Sequence, residues 1–379
     1  MKIVHICLCG VYTPGFNYQE NLLTKYHKRL GYNVEIIASK YCYDKGQKIL
    51  SNANEFFNED NILVRRLEWK INHFVCRKLG IYNYLYETLI KSSPDILFIH
   101  GVQFLDVLSI RKYLLNHPNT IAYIDNHNDF SNSATNFFSK HILHERIWRY
   151  CAKKIDPLIK KWYGVLPARC DFLSDVYKIS KNKISLLVMG GDDDKIARNS
   201  DPLIKKKIRS KFDINDADFL IVTGGKIDKW KTETLLLMDA VNELNGISLI
   251  IFGSVDKDIK ESFDAKCSNK VKYVGWINSD ESYEYFFASD LLMFLGRHSV
   301  YWEQAVSQGK PLVVKYYPGY NHIDLGGNII YLKNESKNNI KTVIESLIYT
   351  DKFIEMEKNA NKQDKYLFYY SHIAEESIM

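Results

Sequence analysis

The chain has 379 residues, 46% of them hydrophobic and 25% charged, with a formal net charge of +6. That is too long for one small core and has the balance of a soluble globular protein, so two domains are expected. No apolar run approaches the ~20 residues of a membrane span. The mild charge permits an anionic substrate or an anionic membrane surface and demands neither, and the dispersed basic residues form no recognised nucleic-acid module.

Seven cysteines, none in a CxxC pair, read as reduced thiols of a cytoplasmic protein. The opening MKIVHICLCGVYTPG reads as a first strand and loop rather than a signal peptide. From there the first half alternates. Ile3 to Cys9 is strand-like, Gly10 to Asn17 a loop, Tyr18 to Leu30 a helix closed by Gly31, and Asn33 to Ala38 a strand. Residues 40 to 60 are polar and irregular, and Ile71 to Lys91 reads as helix. Strands follow at Asp95 to His100, Thr120 to Ile124, Trp162 to Leu166 and Ile184 to Val188, with a long helical stretch from Phe137 to Lys154. Within this half, Val64 to Lys78 places Arg65, Arg66, Lys70, Arg77 and Lys78 among Leu67, Trp69, Ile71 and Phe74. That mixture suits a helix lying on anionic lipid. It equally suits a packed helix with a solvated basic face.

The second half alternates more cleanly. Strands are expected at Phe219 to Thr223, Ser248 to Phe252, Val271 to Val274, Asp290 to Leu295, Pro311 to Val314 and Asn328 to Leu332. Helices fit between them, notably Thr232 to Leu244 and Ser279 to Ala288. Such alternation implies parallel sheets with right-handed crossovers. The expected fold is α/β, with two Rossmann-like domains, 1–195 and 196–379, facing across a cleft. The polar segment from Asp192 to Lys207 is the expected hinge, and the last helix is a candidate to cross back to the first domain.

The working end is expected at LLMFLGRHSVYWEQAVSQGKP, Leu291 to Pro311. A buried strand leads into the turn Gly296, Arg297 and His298; Ser299 then caps a helix over Val300 to Ser307. Backbone N–H groups at such a turn favour an anion, while Glu303 suits sugar hydroxyls. Together they suggest a sugar–phosphate ligand. An ordinary surface glutamate on a strand–helix unit is the plainer alternative.

Other motifs exclude as much as they suggest. No GxGxxG follows the first strand, Gly224-Gly225-Lys226 is not a Walker loop, and there is no GxSxG elbow or zinc spacing. Lys226 and Lys231 follow a strand and could neutralise a diphosphate. His127, in DNHNDF, stands at a strand end, where a functional role competes with a structural one. The acids Asp192 to Asp194 read as a solvated loop, and no metal site is expected.

These positions together resemble glycosyltransferase family 4 on a GT-B scaffold. The likeness runs from the opening strand, with Gly15 in its loop and Gly31 to Val34 as GYNV, through DNHNDF, ISLLVMGGDDD, GGKIDKWK, IFGS, VKYVGWI and EQAVSQGKPLVV. It implies a retaining hexosyltransferase that needs no metal or other cofactor and uses a UDP- or GDP-linked sugar. It puts His127 at the family's active-site histidine, with Lys226 and Lys231 as the other catalytic groups on the diphosphate. Gly225, Arg297, His298, Ser299, Glu303 and His322 join the two lysines in donor binding, with Glu303 on the ribose. Asp324, in the same later loop as His322, could also contact sugar. Gly15 and Asn17 lie on the acceptor side. The family's first Glu of Glu-x7-Glu is replaced here by Leu295, and GRHS is expected to stand in for it. The implied acceptor is a glycan or lipid-linked glycan in bacterial surface polysaccharide synthesis, at the cytoplasm or the inner membrane face. A non-catalytic sugar-nucleotide-binding partner and a sugar-nucleotide epimerase share the scaffold and remain alternatives.

Overall fold

The computed structural model describes residues 1–44, 47–70, 74–228 and 232–379. It divides into two compact units, Met1–Val188 with Ile373–Met379, and Met189–His372.

The first unit is built on strands β1 (Lys2–Cys7), β2 (Asn33–Ser39), β3 (Tyr41–Asp44), β4 (Gln47–Leu50), β5 (Glu55–Phe57), β6 (Leu63–Leu67), β7 (Ile96–His100), β8 (Ile121–Asn126), β9 (Lys161–Gly164) and β10 (Ile184–Leu186). Eight of them form one sheet in the order β10-β9-β8-β7-β1-β2-β6-β5, parallel except for β5 against β6; β3 and β4 form a separate hairpin. The central strands are buried along their length, as in a parallel sheet, and carry buried polar residues, His5, His100 and Asp125, among their apolar ones. Chain order reverses between β1 and β7, where α/β sheets open a crevice at their carboxyl ends.

Three expectations fail in this unit. The tract from 40 to 60 contains β3, β4 and β5 rather than irregular chain. The stretch Val64 to Lys78 is not one helix: Leu63–Leu67 is a strand of the main sheet, a short helix runs over Phe74–Leu79, and residues 71–73 lie outside the described residues. Arg65 and Arg66 are buried rather than turned to lipid or water. Arg65 pairs with Glu35 and Glu55, and Arg66 donates to the carbonyls of Ser39, Tyr41 and Tyr12. The expected helix Ile71 to Lys91 is also interrupted. Gly80 sits at φ +61°, and a Cβ there would meet the Cβ of Phe104 at 2.4 Å, so the chain turns before the helix Leu85–Ser92.

The second unit holds β11 (Phe219–Ile227), β12 (Ile247–Val255), β13 (Val271–Gly275), β14 (Leu291–Phe294), β15 (Leu312–Lys315) and β16 (Ile329–Leu332). All pairs are parallel, in the order β13-β12-β11-β14-β15-β16. This is the Rossmann order, with its reversal between β11 and β14. Each strand falls where the apolar runs place it. The helix Ser279–Ala288 starts from a capping box, in which Asn278 accepts from the Asp280 and Glu281 amides and Glu281 accepts from the Asn278 amide. Asp192, expected in a solvated loop, is instead buried and caps the helix Asp193–Arg198 by accepting from the Asp194 amide. No helix among the described residues is long and apolar enough to cross a membrane.

Candidate functional site

At the carboxyl end of β11, Gly225 and Gly253 pair across the β11–β12 ladder, with φ of +111° and +112°. A Cβ on Gly253 would lie 2.0 Å from the Gly225 carbonyl oxygen, so this pair of glycines permits a backbone approach that no other residue does. Lys226 follows. Its side chain is 61% exposed, and its ammonium lies 3.6 Å from Asp228 and 3.5 Å from Asp256. Lys231 lies outside the described residues.

The neighbouring strand β14 runs into Leu295, which is buried in the core of this unit, so no carboxylate stands at that position. Arg297 is exposed at the turn. Ser299 does not cap through its side chain. The helix is Tyr301–Ser307, and its first turn is tightened by the Trp302 amide bonding to the Ser299 carbonyl. With seven residues, this helix supplies little dipole for an anion.

Those side chains converge. Glu303 has no exposed surface. Its Oε1 accepts from Nε2 of His298 at 2.8 Å and from Nε2 of His322 at 2.8 Å. Burial opposes the carboxylate charge, yet the two imidazoles outweigh it and hold Glu303 well below the usual carboxylate range. Oε2 of Glu303 and Nδ1 of His322 are buried without a hydrogen-bond partner. The trio thus ties the turn after β14 to the loop after β15. Asp324, in that loop, accepts from the Gly326 and Gly327 amides, which shapes the loop. Sequence reasoning passed over Lys315 at the end of β15, which bonds Glu233 at 2.7 Å and reaches Glu335 at 3.3 Å. A lysine closing an apolar strand was its only signal.

The first sheet repeats the arrangement at its own carboxyl edge. Asp125, at the end of β8, has no exposed surface; Oδ2 accepts from Nδ1 of His100, at the end of β7, at 2.7 Å. His127 lies just beyond, its Nε2 3.4 Å from the same oxygen and its side chain 37% exposed. Burial would raise the Asp125 pKa, but His100 and His127 reverse this and hold it well below the usual range. For His100 burial works against charge, and Asp125 lifts its pKa above the ordinary value. Gly15 has φ +75° in an open loop, and its amide donates to Glu59 at 2.6 Å; Asn17 is half-buried nearby in sequence. The expected signal found His127 but missed His100 and Asp125, although two strands ending in His and Asp-Asn-His were there to read.

Each trio brings three potential ligand atoms within 4.8 Å of one another. Two imidazoles and a carboxylate are suitable for a transition metal. Here the contacts are hydrogen bonds, and both ring nitrogens of His100 are used, one on Asp125 and one on His5. An ion could enter only by displacing them.

No protein-family description and no curated protein sequence matches the chain. Solved structures do. The glycosyltransferase WaaG, involved in lipopolysaccharide biosynthesis, superposes with a TM-score of 0.69 at 14% identity, covering 99% of each chain. HepE of Anabaena, in complex with UDP and glucose, gives 0.68 at 14% identity over 99% of this chain and 98% of its own. UDP-GlcNAc 2-epimerase from Neisseria meningitidis, bound to UDP-GlcNAc, gives 0.60 at 12% identity over 99% and 98%. The fold is that of the GT-B glycosyltransferases.

Proposed function

We propose that the protein is a glycosyltransferase that moves a hexosyl group from a UDP- or GDP-linked sugar to a hydroxyl of a glycan or lipid-linked glycan, with retention of configuration. The observation that carries this reading is the placement of two histidine-bracketed carboxylates at the carboxyl edges of two Rossmann-type sheets, Glu303 just after β14 at the reversal of chain order and Asp125 on β8, bonded to His100 at the end of the reversal strand β7. HepE, with the same fold, is described with UDP-glucose bound, which supports a nucleotide sugar as donor.

The second unit holds the nucleotide. Lys226, Lys231 and Arg297 neutralise the diphosphate, whose negative charge grows as the glycosyl–phosphate bond breaks. Gly225 allows the phosphates to come close to the backbone. Glu303 uses Oε1 on its histidines, which leaves Oε2 for a ribose hydroxyl. Since Glu303 is fully buried, donor binding must move the His298–Ser299 turn or the His322 loop aside. The first unit takes the acceptor near Gly15 and Asn17, and His127, oriented by Asp125, contacts the transferred sugar. The acceptor oxygen bonds to the anomeric carbon and its proton ends on the departing diphosphate. Lysines and arginine supply the positive charge, so the reaction runs without a metal. A role in surface polysaccharide synthesis, at the inner membrane face, fits the acceptor class; the membrane contact assigned to Arg65 and Arg66 does not survive their burial.

The test is titration calorimetry against UDP- and GDP-sugars, followed by product analysis with and without glycan acceptors. Transfer to acceptor is expected. Conversion of the nucleotide sugar without acceptor would identify an epimerase, and binding without turnover a non-catalytic partner.

A further inference from the structure

The first unit contains a chain of imidazoles that the proposed reaction does not use. Nε2 of His100 lies 3.0 Å from Nδ1 of His5, and Nε2 of His5 lies 3.0 Å from Nδ1 of His27. Nε2 of His27 then reaches the Ser377 hydroxyl at 2.8 Å and the Ala374 carbonyl at 3.1 Å. His5 and His27 have no exposed surface, and His100 is 7% exposed. The row starts at Asp125 and ends on the C-terminal segment. That segment is fastened to the same sheet face by Tyr123, whose hydroxyl donates to the Ile378 carbonyl at 2.7 Å, and by Tyr163, which donates to Glu376 at 3.2 Å.

Counting protons leaves two self-consistent settings. Asp125 only accepts, so His100 Nδ1 carries a proton in both. In the first setting every imidazole is neutral and protonated at Nδ1. His5 donates to His100, His27 donates to His5, and the Ser377 hydroxyl turns from the Ala374 carbonyl, to which it otherwise donates at 2.9 Å, to donate to His27. The second setting holds one more proton. All three rings carry Nε2–H, each bond of the row is reversed, His27 donates to the C-terminal segment, and His100 is a cation against Asp125. Charge cannot settle deeper in the row. Burial, then the neighbouring imidazoles, lowers His5 far below its ordinary value, and burial lowers His27 to about 3.

We propose that His5, His27 and His100 are positioning residues that act as a relay: the hydrogen-bond polarity set at Ser377 decides the charge on His100, and so how strongly Asp125 holds His127. In the neutral setting Asp125 directs its full charge at His127; in the cationic setting His100 neutralises it. Other groups around the row leave this choice to Ser377. Glu20, from the helix Gln19–Arg29, favours charge on His100 in either case. Cys7 is pushed up by burial and stays neutral. Phe98 and Tyr32 pack against the rings. The last link, to His127, rests on the function proposed above; the relay itself does not.

The experiment is long-range ¹H–¹⁵N spectroscopy of the histidine rings in the full chain, wild type against Ser377→Ala, over pH 5 to 9. Without the hydroxyl only the Ala374 carbonyl remains, and it requires Nε2–H on His27. The pH at which His100 loses its charge should rise by roughly one unit, the shift that one neutral hydrogen bond supports. Ser377→Thr should restore it, and in a His5→Phe background Ser377→Ala should leave His100 unmoved. The pH profile of kcat should shift with His100 while KM stays constant. Identical His100 titrations in wild type and Ser377→Ala would overturn the relay. If His100 responds but the wild type transfers no sugar, the proposed function falls and the relay stands; if sugar transfers and His100 is indifferent, the relay falls alone.

Discussion

The two carboxylate–histidine trios share composition and differ in openness. Glu303 is held symmetrically, at 2.8 Å by each imidazole, and the side chains of His298 and His322 are 5% and 1% exposed. Asp125 is held asymmetrically, at 2.7 Å by a buried His100 and 3.4 Å by a His127 that is 37% exposed. A closed trio fixes two loops to each other. An open one presents an exposed imidazole beside a buried carboxylate. A carboxylate with two histidines thus closes on itself in one unit and leaves one imidazole open in the other. Burial of the second histidine makes the difference.

Removing the carboxylates should have the largest effect and treat both trios alike. Asp125→Ala and Glu303→Ala each leave buried imidazoles without their anion and should cost about 3–5 kcal/mol in urea denaturation. A loss under 1 kcal/mol for Glu303→Ala would mean that its trio clamps nothing. The histidines should then separate the trios. His127→Ala should leave stability nearly unchanged while sugar transfer falls roughly 10²-fold. His322→Ala should destabilise the second unit and weaken donor binding, with kcat largely kept. Equal behaviour of the two variants would dissolve the distinction.

Acid should sharpen it further. His5 and His27 have folded-state pKa values below the ~6.5 of an unfolded chain, so the unfolded state binds more protons as pH falls below that value. Stability of the first unit should therefore decline below pH ~6.5, by about 1.4 kcal/mol per pH unit for each of the two groups. Asp125 and Glu303, with depressed values, add their losses only below pH ~4. An acid limb that begins near pH 4 in both units would contradict the buried neutral row. Leu295→Ala should cost ~2–5 kcal/mol as a core truncation and leave donor affinity in place.

The second unit was legible because each of its strands is a run of apolar residues between polar helices, and local pattern decides such elements. Its Glu303 was found, yet its clamp was not, because His322 follows nineteen residues later, beyond an intervening strand. In the first unit, β6 was read as part of a helix. Its adjacent arginines look solvated in sequence; their partners, Glu35, Glu55 and the carbonyls of Tyr12, Ser39 and Tyr41, come from other strands and loops. His5 looked like one polar residue in a strand. Nothing local says that its ring meets His100 and His27, and that the row ends at Ser377, because those contacts span 95, 22 and 350 residues.

The most direct measurement is turnover of a nucleotide-sugar panel by the full chain, scored as acceptor-dependent release of nucleoside diphosphate, with donor affinity measured in parallel for wild type and His127→Ala. The expected result is acceptor-dependent release from a UDP- or GDP-sugar, with His127→Ala binding that donor as tightly as wild type and turning it over roughly 10²-fold more slowly. Release that ignores both the acceptor and the loss of His127, or the absence of binding to any nucleotide sugar, would contradict it.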